Sequence, residues 1–295
     1  MDVGICLPYM KKGLDRATLL GTMRAVEAGP FASLSCGERI TGPTVDLGLT
    51  LAAAAAVTSR VRIVPTLYVL PLHDAVKAAK EIATLDVLSG GRVAVTVGVG
   101  GRPNDYRAVS APFERRHARM DEQVATLRRI WRGEPPFDGA DPVGPAPLRA
   151  GGPPVYAGVM GPKATARAAR WADGVYVWSG NGVRSEIAHL LAQTDRAWQA
   201  AKREAPPRRI GGFWYSLAPQ DPLEKLRSYV YDYVAYFGDA PARGMANTMS
   251  RATPDAVREA LDDLEAAGCD EVFLVPATAE LAEVERAAEV VSRRG

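Results

Sequence analysis

Histidine and cysteine are scarce in this chain, with three of each among 295 residues. Cys6, Cys36 and Cys269 are too few and too scattered for a disulfide framework, and none has a partner at metal-ligand spacing. His73, His117 and His189 form no metal-spaced pair either. An excess of one charge is missing too. Lys and Arg number 36 against 34 Asp and Glu, a net charge of +2, so no broad field points to nucleic acid or an anionic membrane. The longest apolar run, "LGLTLAAAAAV" at 47–57, falls well short of the roughly 20 residues that span a bilayer. The opening "MDVGICLPYM" lacks the charged flank and the length of a signal peptide. These absences, with an unpaired set of thiols, lead to the expectation of a soluble cytoplasmic protein. Phosphate-loop motifs are absent as well. No G-x-x-x-x-G-K-[ST] occurs, and "GVGGRPN" at 98–104 has neither the G-x-G-x-x-G spacing nor a helical pattern starting at once behind it.

What is present is alternation. Short β-like runs at 2–8, 30–36, 60–68, 92–98, 153–158, 173–178, 208–217 and 270–276 are separated by amphipathic helical stretches. Met120, Val124, Leu127 and Trp131 make one apolar helical stripe. Asp74 is placed to cap a helix running to about Leu88 and ended by Gly90 or Gly91; Thr253, Pro254 and Gly268 delimit another. This pattern predicts a parallel sheet closed into a (β/α)8 TIM barrel, over the whole of 1–295 as one domain. A doubly wound open sheet shares the pattern and stays open as an alternative. In the run 92–98, Val93, Val95 and Val97 would face the helices. Ala94, Thr96 and Gly98 would face the barrel interior. Small residues there leave volume at the C-terminal end of the strand, and Gly98 and Gly100 would let backbone approach a ligand. Two irregular segments, 133–154 and 239–252, read as insertions at the C-terminal face that shape a pocket. Tyr229, Tyr233, Tyr236 and Phe237 recur at helical spacing, as core or subunit packing would require, and Trp214 or Ser216 ends a strand on the active face.

"LPLHDAVKAAKEIATLDVLSGGRVAVTVGVGG" (70–101) resembles the signature of the luciferase-like oxidoreductases, a (β/α)8 family using FMN or the deazaflavin coenzyme F420. "APFERRHARMDEQVATLRRIW", "PPVYAGVMGPKATARAARWADGVYVW" and "ATPDAVREALDDLEAAGCDEVFL" follow in the family's order. The resemblance implies that Gly158, Val159, Met160 and Gly161, with Trp178, Ser179 and Gly180, hold a cofactor phosphate. Pro162 at a helix start suits such a role, because free amides there favour an anion. It also implies a bulge with a non-proline cis peptide around Thr66, Leu67 and Tyr68 that backs the cofactor ring. Glu38 stands where relatives carry an acidic residue followed by His, but Arg39 replaces that His, leaving Glu38 as the acid/base or as half of an ion pair with Arg39. Asp105, followed by Tyr106, fills an acidic–aromatic place after a shortened loop that lacks the family's Trp, which makes it a candidate acid/base or ligand for a polar substrate, with a surface loop carboxylate as the alternative. His73 opens a helix near the same mouth, as a candidate catalytic contact to cofactor or substrate or simply as a helix-start residue.

The expected activity is F420-dependent hydride transfer to a small unsaturated substrate, in a homodimer. The Ala/Arg/Gly/Pro/Val-rich composition and the compact chain favour F420. The alternatives are an FMN-dependent monooxygenase fed by a partner reductase, a barrel lyase or isomerase acting on a phosphorylated metabolite, and a non-catalytic flavin-binding relative.

Overall fold

In a computed structural model that describes residues 1–294, eight parallel strands pair in chain order and close on themselves. They are β1 (Asp2–Cys6), β2 (Ser33–Cys36), β3 (Arg62–Tyr68), β4 (Val95–Val97), β5 (Val155–Gly158), β6 (Gly174–Tyr176), β7 (Arg208–Tyr215) and β8 (Glu271–Pro276). The β1–β8 pairing, in register from Asp2 with Glu271 to Ile5 with Leu274, closes the ring and excludes the open-sheet alternative. Parallel neighbours require a crossover for each pair, and helices supply it all around the barrel.

Strand alternation sorts side chains as the sequence implies. Val93, Val95 and Val97 lie in the large apolar layer between strands and helices, whereas Ala94 packs inside the ring with Val64, Tyr156, Tyr176, Ile210 and Phe273. The helix signals also hold. The Asp74 carboxylate accepts from the Lys77 amide at 2.9 Å, and the helix Ala75–Ser89 stops at Gly90 with φ of 70°. Met120, Val124, Leu127 and Trp131 are buried on the helix Arg116–Trp131. Thr253 accepts from the Ala256 amide at the start of the helix Pro254–Ala266.

Three expectations need correction. Segment 133–154 follows a helix and precedes β5, so it lies at the N-terminal end of the barrel, away from the mouth. There it docks on the helix Ala75–Ser89, with Leu148 N–H donating to Asp86 at 2.8 Å. Segment 239–252 is not irregular: Asp239–Thr248 is a helix that buries Ala242 and Ala246, spaced four apart, against the helix Pro222–Val234. Both helices fall between β7 and the helix Pro254–Ala266, so they form the insertion that covers the C-terminal end. A short helix, Pro103–Ala108, also starts soon after β4, although no periodic pattern marks six residues.

The N-terminal end of the barrel is closed by charge. Glu271, 2% exposed, meets Arg62 at 2.9 Å and Arg208 at 3.0 Å, and accepts from the Ser33 hydroxyl. Asp2 bridges the same two guanidinium groups at 2.8 Å each, so two cations face two anions and no buried charge is left alone. Removing Glu271, the buried member, should be costly, because two partly buried guanidinium groups are left to share Asp2 and the buried Ser33 hydroxyl loses its acceptor. Glu271→Leu is expected to lower unfolding free energy by about 2–4 kcal/mol, read from urea denaturation of the whole chain.

Candidate active site

The open end of the barrel holds a cavity of about 880 Å³, within the range of cofactor-binding clefts. Its floor is set by the exit of β3. The Thr66–Leu67 peptide is cis, and the β3–β4 register shifts between Thr66 and Tyr68, as the family resemblance implies. Leu67 then lies between Gly98 and Gly158. A Cβ at Gly98 would come within 2.5 Å of Leu67 Cδ1, and one at Gly158 within 2.7 Å of Leu67 Cδ2. These glycines therefore make room for a neighbouring side chain while their own backbone still lines the cavity. Gly100, with φ of 60°, gives the same close passage to Val69.

The opposite wall is aromatic. Trp178 meets Trp214 edge-on with centroids 4.8 Å apart, and Trp214 meets Tyr233 at 5.3 Å. Tyr9, Tyr176, Tyr236 and Phe237 complete that side, with Met245 and Met249 from the insertion. The Tyr stripe thus divides. Tyr229 is core, while Tyr233, Tyr236 and Phe237 line the cavity. Trp214 reaches the cavity as expected. Ser216 does not; it is fully buried, and its amide donates to Arg251 O.

Charged groups on the wall are mostly compensated. Glu38 lines the cavity with its side chain only 6% exposed. One oxygen accepts from the Val69 amide at 2.6 Å, and the other lies 2.7 Å from His73 Nε2. The expected ion pair with Arg39 is not formed. Arg39 instead turns to the insertion, donating to Tyr233 O at 2.5 Å, with its guanidinium 4.4 Å from that residue's ring centroid. His73 stands behind Glu38, outside the cavity lining. Burial disfavours its imidazolium, but the hydrogen bond and charge of Glu38, aided by Glu81 and Asp46, win and raise its pKa above the usual value. Tyr68 also turns out of the cavity, its ring 4.5 Å from that of His73. Asp105 lines the cavity but is tied to a neighbouring loop. It accepts from the Thr41 amide at 2.9 Å and from the Thr41 hydroxyl, and pairs with Arg102 at 3.4 Å. Burial pushes the Cys6 thiol in the cavity floor up to about 11, so it stays neutral.

At the β5 and β6 exits, Gly158, Val159 and Met160 line the cavity together with Trp178, Ser179 and Gly180, while Gly161 lies just outside the lining. No hydrogen bond among the described residues uses the Met160, Gly161 or Gly180 amides. The Ser179 hydroxyl is already engaged, accepting from the Val183 amide at 2.8 Å and donating to Glu186 at 2.6 Å. Lys163 is exposed, away from the cavity lining. The arrangement fits a flat ring system between Leu67 and the aromatic wall, with an anionic tail against free amides. Glu186 is the one group there that opposes an anion. Of the residues that sequence reasoning passed over, Tyr9, Arg102, Asn181, Glu186, Met245 and Met249 all line the cavity. Only Arg102, beside the glycines, had a local signal.

A family model described as luciferase-like monooxygenase matches residues 1–275. An uncharacterized protein of Mycobacterium tuberculosis, Rv0953c, is 42% identical over 92 residues, or 31% of this chain and 32% of that protein. The FMNH(2)-dependent dimethylsulfone monooxygenase of Pseudomonas putida is 26% identical over 212 residues, or 68% of this chain and 56% of that enzyme. The match thus spans about a third of the first relative's length and just over half of the second's. A solved F420-dependent secondary alcohol dehydrogenase, in complex with an F420–acetone adduct, shares the fold with a TM-score of 0.81. It is 19% identical, over 99% of this chain and 98% of that one. No described helix is long and apolar enough to cross a membrane. With its family match running from Met1 into β8, the chain belongs to the luciferase-like monooxygenase family, and the proteins it resembles include both F420- and FMN-dependent enzymes.

Proposed function

We propose that the protein is an F420-dependent oxidoreductase that reduces a C=C or C=N bond of a small, largely apolar substrate. The observation that carries this reading is the Glu38–His73 pair, a carboxylate–imidazole couple at the wall of a cavity whose far side is aromatic. Hydride arriving at carbon must be matched by a proton at the neighbouring nitrogen or carbon. Glu38 faces the cavity, and His73 stands 2.7 Å behind it with its protonated form favoured relative to an ordinary imidazole, so the pair offers a path for a proton from His73 through Glu38 to the cavity. When bound, reduced deazaflavin supplies the hydride, whereas reduced FMN also passes electrons to oxygen. Thr66, Leu67, Gly98 and Trp178 would flank the ring, and the Met160 and Gly180 amides would meet the anionic tail. The aromatic wall and Leu67 exclude water from the reacting centre.

The similarity to the FMNH(2)-dependent dimethylsulfone monooxygenase favours a second reading, a monooxygenase using reduced FMN. Fluorescence titration of the protein with F420 and with FMN separates the two. Saturable quenching of F420 with no FMN binding supports the first, and the reverse supports the second.

Glu38→Gln should leave the cofactor dissociation constant within about twofold and lower turnover by about 10²-fold, the usual worth of a general acid or base. Unchanged turnover removes Glu38 from the chemistry. A pH series tests the pair through stability. Because the folded state raises the His73 pKa, the stabilisation from the pair is complete below about pH 6.5, the unfolded value. It is lost as pH rises through the higher folded value. The difference in unfolding free energy between the wild type and His73→Gln should therefore shrink from pH 6 to pH 9. A constant difference shows that the pair carries no titrating proton.

A further inference from the structure

Arg39 is the one charge in the cavity wall near the β2 exit that has no opposite partner. Glu38 is matched by His73 and Asp105 by Arg102. No carboxylate lies within ion-pair distance of Arg39 among the described residues, although its guanidinium lines the cavity and is only half-buried. A single N–H of that group is spent, on Tyr233 O, and the plane is held against the Tyr233 ring. Held this way, the group has lost most of its freedom while keeping several donors free, an economical arrangement for binding a planar anion.

The position of Arg39 says which anion. β2 and β6 stand four strands apart in a ring of eight, on opposite sides of the mouth. The free amides suited to a cofactor tail lie at the β5 and β6 exits, so Arg39 faces the other end of the cavity. Around it stand Tyr9, Tyr233 and Tyr236. Burial raises the Tyr9 hydroxyl well above its usual pKa, so it remains a neutral donor and adds no negative charge.

We propose that Arg39 is a specificity-determining residue that binds the carboxylate of the substrate, and that the substrates are organic acids with a flat, apolar body lying against Trp214 and Tyr233. The oxidoreductase reading enters only in calling this ligand a substrate. An uncompensated guanidinium in an aromatic pocket penalises a neutral ligand that cannot use its donors, and rewards a carboxylate that accepts two of them.

Calorimetric titration of the full chain with 3-phenylpropanoate and with its neutral isostere 3-phenylpropanamide tests the assignment, with and without F420. The wild type should bind the carboxylate about tenfold or more tightly than the amide, the range of a charged hydrogen bond. Arg39→Met should abolish that preference and leave amide binding within about twofold, and Arg39→Lys should restore part of it. Three outcomes overturn the proposal: no binding of either probe by the wild type, no preference between them, or equal loss of both in Arg39→Met. The last would make Arg39 only a brace for Tyr233. Failure of F420 to bind, with the Arg39-dependent preference intact, removes the F420-dependent reading and leaves the anion site standing.

Discussion

Leu67 occupies the space that side chains at Gly98 and Gly158 would need, and the cavity takes its shape from that contact. Strands β3, β4 and β5 are adjacent, so one side chain from the first presses on the ends of the other two. With hydrogen in place of Cβ on both neighbours, the β3 exit folds across the barrel mouth and gives the cavity a firm apolar floor. Packing at interior density does not allow that floor to sink or tilt by fractions of an ångström without cost. The aromatic wall then faces a fixed surface, and a slot results.

Charges around the slot obey the rule that a buried ion needs a partner. Glu38 has His73 and the Val69 amide; Asp105 has Arg102 and Thr41; Glu271 at the closed end has two arginines. Each of these carboxylates also ties one loop or strand to another, so the pairs hold the site's shape as well as its charge. Asp105 joins the short helix after β4 to the loop after β2, and Glu38 joins that same loop to the exit of β3. Arg39 and Glu186 stand out because their compensation is incomplete, and they lie on opposite sides of the mouth.

The insertion between β7 and the helix Pro254–Ala266 turns an open barrel end into a covered cavity. Its first helix and the turn after it present Tyr233, Tyr236 and Phe237 inward, its second presents Met245, and Met249 follows at that helix's end. Two cations reach up to it from the barrel loops, Arg39 to Tyr233 and Arg102 to Tyr236 at 5.6 Å. The cover is thus attached to the β2 and β4 exits at the side where Arg39 has free donors.

Much of the barrel was legible locally. Alternation in the run 92–98, the cap at Asp74 and the stripe from Met120 to Trp131 each depend on neighbours within a few residues, and each is found as expected. Family-like motifs located the cis peptide and the cavity-lining strand ends. Pairings across the chain were another matter. That Glu38 would meet His73 rather than Arg39, that Tyr68 would turn outward, and that Asp105 would bind Thr41 depend on how separate loops meet. Nor does the helical order of 239–248 show in a segment with Pro241, Gly238 and Gly244, since its stability comes from burying Ala242 and Ala246 on a neighbouring helix. Sequence alone determined the periodicities, and through them the alternating strands and helices and the small residues at the strand ends; closure of the ring rests on the β1–β8 pairing. Only the tertiary structure decided which charge answers which, because Coulomb and hydrogen-bond partners are chosen by distance in space.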